Sequence, residues 1–203
     1  MSQAMSARIG GGCGALFVLL LFGGSATGIE ALMYAEIIGL VLFIPFLAYL
    51  TSVLRTAEGE GAWLAMTAFG AGLVDVAIKL GSAAPSLASE NLVEGSALDN
   101  VLHDMNNASF ILTMAPLGIL TAAVATVVLA TGVLPRWLGW LTALTSAALF
   151  ANGAFLDAEF GPAFLLFLVW IVAVSVTLVR RASGRQADAK AIAVHGQGAA
   201  QGA

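Results

Sequence analysis

Apolar residues run along the chain in six blocks, each close to the roughly 20 residues that a helix needs to cross a bilayer. They lie near 9–28, 31–54, 62–82, 108–133, 137–156 and 163–180. The intervals between them hold the turn-formers and most of the charge. The pattern therefore predicts an all-α polytopic membrane bundle of six transmembrane helices within residues 1–181. The first block opens with Gly10, Gly11, Gly12 and Gly14, small residues that suit close helix contact. It also fits a signal peptide: Arg8 would be the basic region, Ala15 to Phe22 the apolar core, and Gly24-Ser25-Ala26 the cleavage site that removes residues 1–26. The return of apolar character at Ala31 argues instead for a tight helical hairpin.

Composition strengthens the membrane assignment. Hydrophobic residues make up 60% of the 203 and charged residues 10%, with a mean hydropathy of +0.95. Soluble domains are about 45–50% apolar and about 25% charged. The lipid bilayer is thus the first expected partner. Nucleic acid is not expected, because basic residues form no patch and do not alternate with aromatics. Cys13 stands alone, so no intramolecular disulfide or multi-cysteine cluster is possible. Its apolar run follows the cysteine, the reverse of a lipoprotein signal.

The net charge of −4 matters less than where the basic residues fall. With six spans and a cytoplasmic N-terminus, Arg8, Arg55, Arg136, Arg180, Arg181, Arg185 and Lys190 all lie inside. Both termini are then cytoplasmic, and the outer loops carry Glu90, Glu94, Asp99, Asp157 and Glu159. Lys79 is the one basic residue that opposes the bias. Pro45 and Pro116 sit inside apolar blocks and predict kinks, whereas Pro135 and Pro162 occupy turn or first-turn positions. From Ala182 onward alanine, glycine, glutamine and isolated charges predict a disordered cytoplasmic tail over 182–203, with His195 inert in it.

The turn Pro135-Arg136-Trp137-Leu138-Gly139-Trp140, with the helix start His103-Asp104-Met105-Asn106-Asn107 and the closing block Val169 to Arg181, resembles uncharacterised bacterial multi-span integral membrane proteins grouped as domains of unknown function. The resemblance covers about the last half of the chain. It implies the span count and carries no activity, cofactor or site residue.

Candidate chemistry gathers at the outer ends of the predicted spans. In the run Asp99 to Asn107, residues Asn100, His103, Asp104 and Asn107 fall within about a third of a helix circumference. That face either lines a site or forms the wet first turns of a helix. Asp75 and Lys79 are spaced i, i+4 on the third span, with the carboxylate N-terminal, the favourable order for a helical ion pair. Counting about 1.5 Å per residue from Ala62 places them about 20 Å and about 25 Å into the membrane. Ionisable groups at that depth are costly and point to a ligand or a pathway. The alternative is mutual neutralisation, with Lys79 reaching toward the interface. Ala68, Ala71 and Gly72 share their face and admit a close neighbour.

Tyr34, spaced i, i+4 from Glu30 at the start of span two, and Asn152 near the end of span five complete the candidates. Glu36 lies deeper on a different face from Tyr34. No metal or cofactor is expected, since His103 is the only histidine near the site.

Three functions follow from this pattern. The first is a non-enzymatic membrane protein whose outward polar pocket, on Asp75, Lys79, Asn100, His103, Asp104 and Asn107, binds a small molecule, ion or lipid headgroup. A sensor, accessory or transporter-like role would suit it. The second is a structural or assembly subunit, joined to a membrane-protein partner or to copies of itself through small-residue faces. The third is an intramembrane enzyme using His103 with Asp104 or Asp75 on a lipid-like substrate. No nucleophile constellation accompanies that pair, and no continuous chain of acidic residues leads from Asp75 to the cytoplasmic side.

Overall fold

The computed structural model describes residues 3–24, 29–89, 92–155 and 161–201. Ser25 and Ala26 of the expected cleavage site, together with Glu90, Asp157 and Glu159, lie outside the described residues. Six helices follow one another: α1 (Gln3–Gly24), α2 (Ile29–Glu58), α3 (Trp63–Ser89), α4 (Ala97–Thr131), α5 (Arg136–Phe155) and α6 (Pro162–Gln201). No strand occurs among the described residues.

Five of the six helices, α1, α2, α3, α4 and α6, are long and apolar enough to cross a membrane. Expected span five is a helix too, but α5 is not among the five. Thr142, Thr145, Ser146 and Asn152 dilute its 20 residues. All four of those side chains are buried, whereas Trp137, Trp140, Leu144 and Phe150 are exposed. Its polarity therefore points into the protein and its apolar side faces out, the arrangement a bilayer selects.

Two other elements differ from expectation. α4 starts at Ala97, about ten residues ahead of its uninterrupted apolar run, because Ser96 caps it: the Ser96 hydroxyl accepts from the Asp99 N–H at 3.2 Å. α6 continues through the stretch expected to be disordered, as far as Gln201. That stretch is alanine-rich and free of proline, so nothing in it breaks the helix outright, although Gly184, Gly196 and Gly198 lower its propensity. Pro45, Pro85 and Pro116 lie inside α2, α3 and α4, none of which is interrupted.

Each helix packs on its neighbours in sequence, and α1 meets α6 to close a ring; α2 also touches α4. Close approaches fix the directions. Gly10 of α1 lies against Tyr49 near the end of α2, and Gly39 near the start of α2 lies against Phe17 near the end of α1. Gly118 meets Phe150 and Gly139 meets Val128 and Leu129, so α4 and α5 are antiparallel as well. Gly11 approaches Ser175 and Val179 of α6. The bundle thus alternates up and down. One end gathers the exposed Arg8, Arg55, Arg136 and Arg180 with the exposed Trp63, Trp137 and Trp140.

Large rings fill the interior. Phe43 stacks on Phe46 at a centroid separation of 5.6 Å, Phe17 packs tilted against Phe43 at 5.1 Å, and Phe43 meets Phe167 edge-on at 6.3 Å. The backbones of α2 and α6 do not pack together, so this contact spans the middle of the ring. Trp170 is fully buried beside Phe167, and its indole N–H donates to Thr142 Oγ1 at 2.7 Å. Thr142 passes its own hydroxyl proton to the Leu138 carbonyl at 2.6 Å, leaving neither group unsatisfied.

The glycines of α1 provide a direct test. A side chain at Gly11 meets Val179 at 2.6 Å and the Ser175 carbonyl at 3.0 Å, whereas one at Gly12 meets nothing within 4 Å. Gly11→Leu should lower stability by about 1–3 kcal/mol through overpacking against α6. Gly12→Leu, one residue away, should not. Unfolding in mixed detergent micelles reads both.

Candidate functional site

The inward face of α3 changes character along its length. Ala65, Ala68 and Gly72 are followed at helical spacing by Asp75, Lys79 and Ser82. The small residues let α3 settle against two helices at once. At Gly72 the nearest neighbours are Leu47 of α2 and Leu120 of α4, so α3 lies in the groove that those two helices form. One to two turns further on, the same face brings Asp75 and Lys79 into that groove.

Lys79 is held between the two helices. Its Nζ lies 3.9 Å from Glu36 Oε1 on α2 and 4.6 Å above the centre of the Phe110 ring on α4. At 3.9 Å the pair is an ion contact, too long for a strong charge-assisted hydrogen bond. Phe110 packs edge-on against Phe164 of α6 at 5.2 Å, which ties the cation–π contact to the aromatic interior. Ser82 donates its hydroxyl proton to the Lys79 carbonyl at 2.9 Å.

Asp75, one turn deeper, is only 5% exposed. Lys79 is the charge that acts on it, and its carboxylate accepts no hydrogen bond among the described residues. The i, i+4 spacing therefore does not produce a closed Asp75–Lys79 ion pair. The ammonium turns toward Glu36 and Phe110 instead. The local balance is two carboxylates to one ammonium, with the surplus acceptor capacity on the buried one.

The other candidates divide by position. Asn107 is half-buried, one turn before Phe110 on α4. Asn100, His103 and Asp104 are exposed, as is Tyr34. Asp99 explains itself as part of the helix start: its Oδ2 accepts from the Gly95 N–H at 2.9 Å, and Asn100 Nδ2 donates to the Gly95 carbonyl at 3.4 Å. The first turns of α4 are thus a capped, exposed helix start, and the structure does not bring them into the α2–α4 groove. Neither His103 nor Asp104 has a hydrogen bond or ion pair among the described residues.

Asn152 is 1% exposed on α5, with Gly161 at the start of α6 pressed directly against its carboxamide. Its Oδ1 has no hydrogen-bond partner among the described residues. A side chain at position 161 would displace the Asn152 carboxamide from where it lies.

Two residues outside the expected set belong to this account. Glu36 is the partner of Lys79, and it sits seven residues after the start of α2 with nothing in its neighbourhood to mark the pairing. Phe110 is spaced i, i+3 from Asn107, a relation visible in the sequence but uninformative until α3 is known to lie opposite. Glu58 acts at the other end of the bundle, where its two oxygens accept from the Leu64 and Ala65 N–H groups at 3.0 and 2.9 Å. It satisfies the first turn of α3 and complements the helix dipole. No group of three or more His, Cys, Asp or Glu side chains arranged to hold a metal occurs among the described residues.

Comparison of the chain with protein-family models, with curated proteins and with solved structures yields no match. No relative's activity bears on the site, which rests on its own chemistry.

The contact between α2 and α3 is measurable by a double-mutant cycle. Glu36→Gln and Lys79→Met should couple by about 0.5–1 kcal/mol, a modest value because Glu36 is partly exposed and the separation is long. Additive effects of the two changes in unfolding measurements would mean that the ion contact contributes nothing.

Proposed function

We propose that the chain is a six-span protein of the cell membrane with both termini in the cytoplasm, and that the outward end of its bundle binds a small ligand. Five helices with the length and composition of spans support the membrane placement, and the outward apolar face of α5 supports counting it as the sixth. The clustering of Arg8, Arg55, Arg136 and Arg180 at one end supports the orientation, since Lys and Arg concentrate on the cytoplasmic side.

The observation that carries the ligand reading is Asp75: a carboxylate 5% exposed, at membrane depth, with no hydrogen-bond donor among the described residues and its nearest cation turned toward Glu36. Burying such a group without donors costs several kcal/mol, so its presence there points to use. Its unused capacity is for acceptance. A metal cation, an ammonium group or the O–H donors of a lipid headgroup all meet that requirement. Lys79 would set the register of the ligand by competing for the same carboxylate.

An enzymatic reading draws less support. His103, its only nearby histidine, is exposed at the start of α4 and has no contact that would orient it toward Asp75. The assembly reading based on the faces of α1 and α3 also weakens, because Gly10, Gly11, Gly14 and Gly72 are occupied by contacts within the chain.

Binding is tested by thermal unfolding of the purified protein against sodium, potassium, calcium and choline chlorides, and against phosphatidylethanolamine and phosphatidylglycerol in mixed micelles. At least one should raise the midpoint by a few degrees, and Asp75→Asn should remove that shift. Wild-type protein indifferent to all of them, or a shift that survives Asp75→Asn, would sink the proposal. Orientation is tested separately in a Cys13→Ser background. An impermeant thiol reagent applied to intact cells should label Glu94→Cys and leave Glu60→Cys unlabelled; the reverse pattern would invert the topology.

A further inference from the structure

We propose that α4 is a dimerisation helix, and that the partner is a second copy of this chain packed in parallel along a heptad seam. Between Leu98 and Ile119, the exposed apolar positions of α4 recur at alternating intervals of three and four residues: Leu98, Val101, Met105, Ala108, Leu112, Ala115 and Ile119. The five larger side chains are 43–63% exposed. The opposite side of the helix, through Phe110, Leu117 and Val124, is buried in the bundle. This is the period of a left-handed coiled-coil seam, with large residues in one set of layers and mostly small ones in the other.

Helix length distinguishes the seam from a face that simply meets lipid. α4 has 35 residues, so it is about 52 Å long, while the hydrocarbon core is about 30 Å thick. Its C-terminal end is fixed at the interface by the Gly132 cap and the turn that leads to Arg136, Trp137 and Trp140. The excess therefore projects from the other end. Even allowing about 6 Å for headgroups, Leu98 and Val101 stand in water with more than half their surface uncovered. The seam nevertheless continues through them without a change of register.

A second copy fits for two reasons. Two copies inserted the same way up and related by a two-fold axis along the membrane normal present parallel α4 helices, so each layer of the seam meets its own counterpart. The flanking positions raise no charge conflict either. Asp104 is the one charged residue beside the seam, and in a parallel pair it falls opposite the neutral Ser109 of the partner. The pairing uses neither Asp75 nor Lys79, so it does not depend on the ligand reading.

The test uses the full-length Cys13→Ser protein in lipid nanodiscs. Oxidative crosslinking should join two copies through Leu98→Cys and through Val101→Cys, and should fail at Asn100→Cys and His103→Cys, which are exposed off the seam. Leu98→Asp combined with Val101→Asp should weaken dimerisation at least about tenfold by light scattering, since the seam would have to desolvate the added charges. Both positions are exposed, and unchanged helicity by circular dichroism would confirm that the fold survives. A monomeric wild type, crosslinking independent of the seam, or dimers that tolerate both aspartates would each overturn the proposal.

Discussion

The middle of the helix ring has to be filled, and the row Phe17, Phe43, Phe167 and Trp170 fills it. Within a bilayer the hydrophobic effect does little to bring helices together, because lipid is as apolar as the side chains it would replace. Association then depends on dense contact and on hydrogen bonds. Both are present here in the same place. The rings bridge α2 and α6, whose backbones do not touch, and the Trp170 indole is satisfied by Thr142 on α5. Four helices are thereby joined through one set of side chains. The glycines of α1 are the necessary counterpart, since α1 must approach both α2 and α6 closely for Phe17 to reach Phe43.

The polar groups meet a second constraint, that partners must be found without water; Asn152 Oδ1 and Ser175 Oγ find none among the described residues. Most find one inside their own helix. Thr113, Thr121, Thr142 and Thr145 donate to carbonyls three or four residues earlier, and Ser146 crosses from α5 to the Gly118 carbonyl of α4 at 2.9 Å. These side chains cost little and can be placed almost anywhere in a span. Asp75 is different because it has no such short-range solution. A carboxylate needs donors, and a helix interior offers only N–H groups already committed to the backbone. The inner face of α3 therefore divides physically at Gly72: before it the groove between α2 and α4 is sealed by small residues, and beyond it the groove holds charge.

Much of this was legible in the sequence, and the part that was not has a definite cause. Block length and composition located the helices, because an apolar run of about 20 residues is what a helix needs to cross a bilayer. Local chemistry was legible too: the i, i+4 relation of Asp75 and Lys79 placed them on one face, and the glycines of α1 marked a close approach. What could not be read was the choice of partner. Lys79 has Asp75 within its own helix and Glu36 across the groove, and helical spacing favours the first while the packed structure selects the second. That selection depends on how α3 seats between α2 and α4, a tertiary fact with no local signature. The same gap explains His103 and Asp104. Helical spacing put them on a common face with Asn107, but not whether the bundle reached far enough to cover them; with Ser96 capping the helix, α4 extends past its neighbours and leaves them exposed.

The extension of α4 and the polarity of α5 point to one conclusion about how mean hydropathy should be read in such a chain. α4 carries a strongly polar start yet is apolar enough to cross a membrane, while α5 is diluted by four inward-facing polar residues and is not among the five helices that are. In each case the average conceals a direction. For α5 the polar groups point into the protein, where Thr142 and Ser146 make interhelical bonds, and the surface offered to lipid is Trp137, Trp140, Leu144 and Phe150. For α4 the apolar groups keep pointing outward after the helix has left the depth of its neighbours. A bilayer acts on the outer surface alone. The first pattern is therefore compatible with it, and the second asks for something other than lipid against its leading turns.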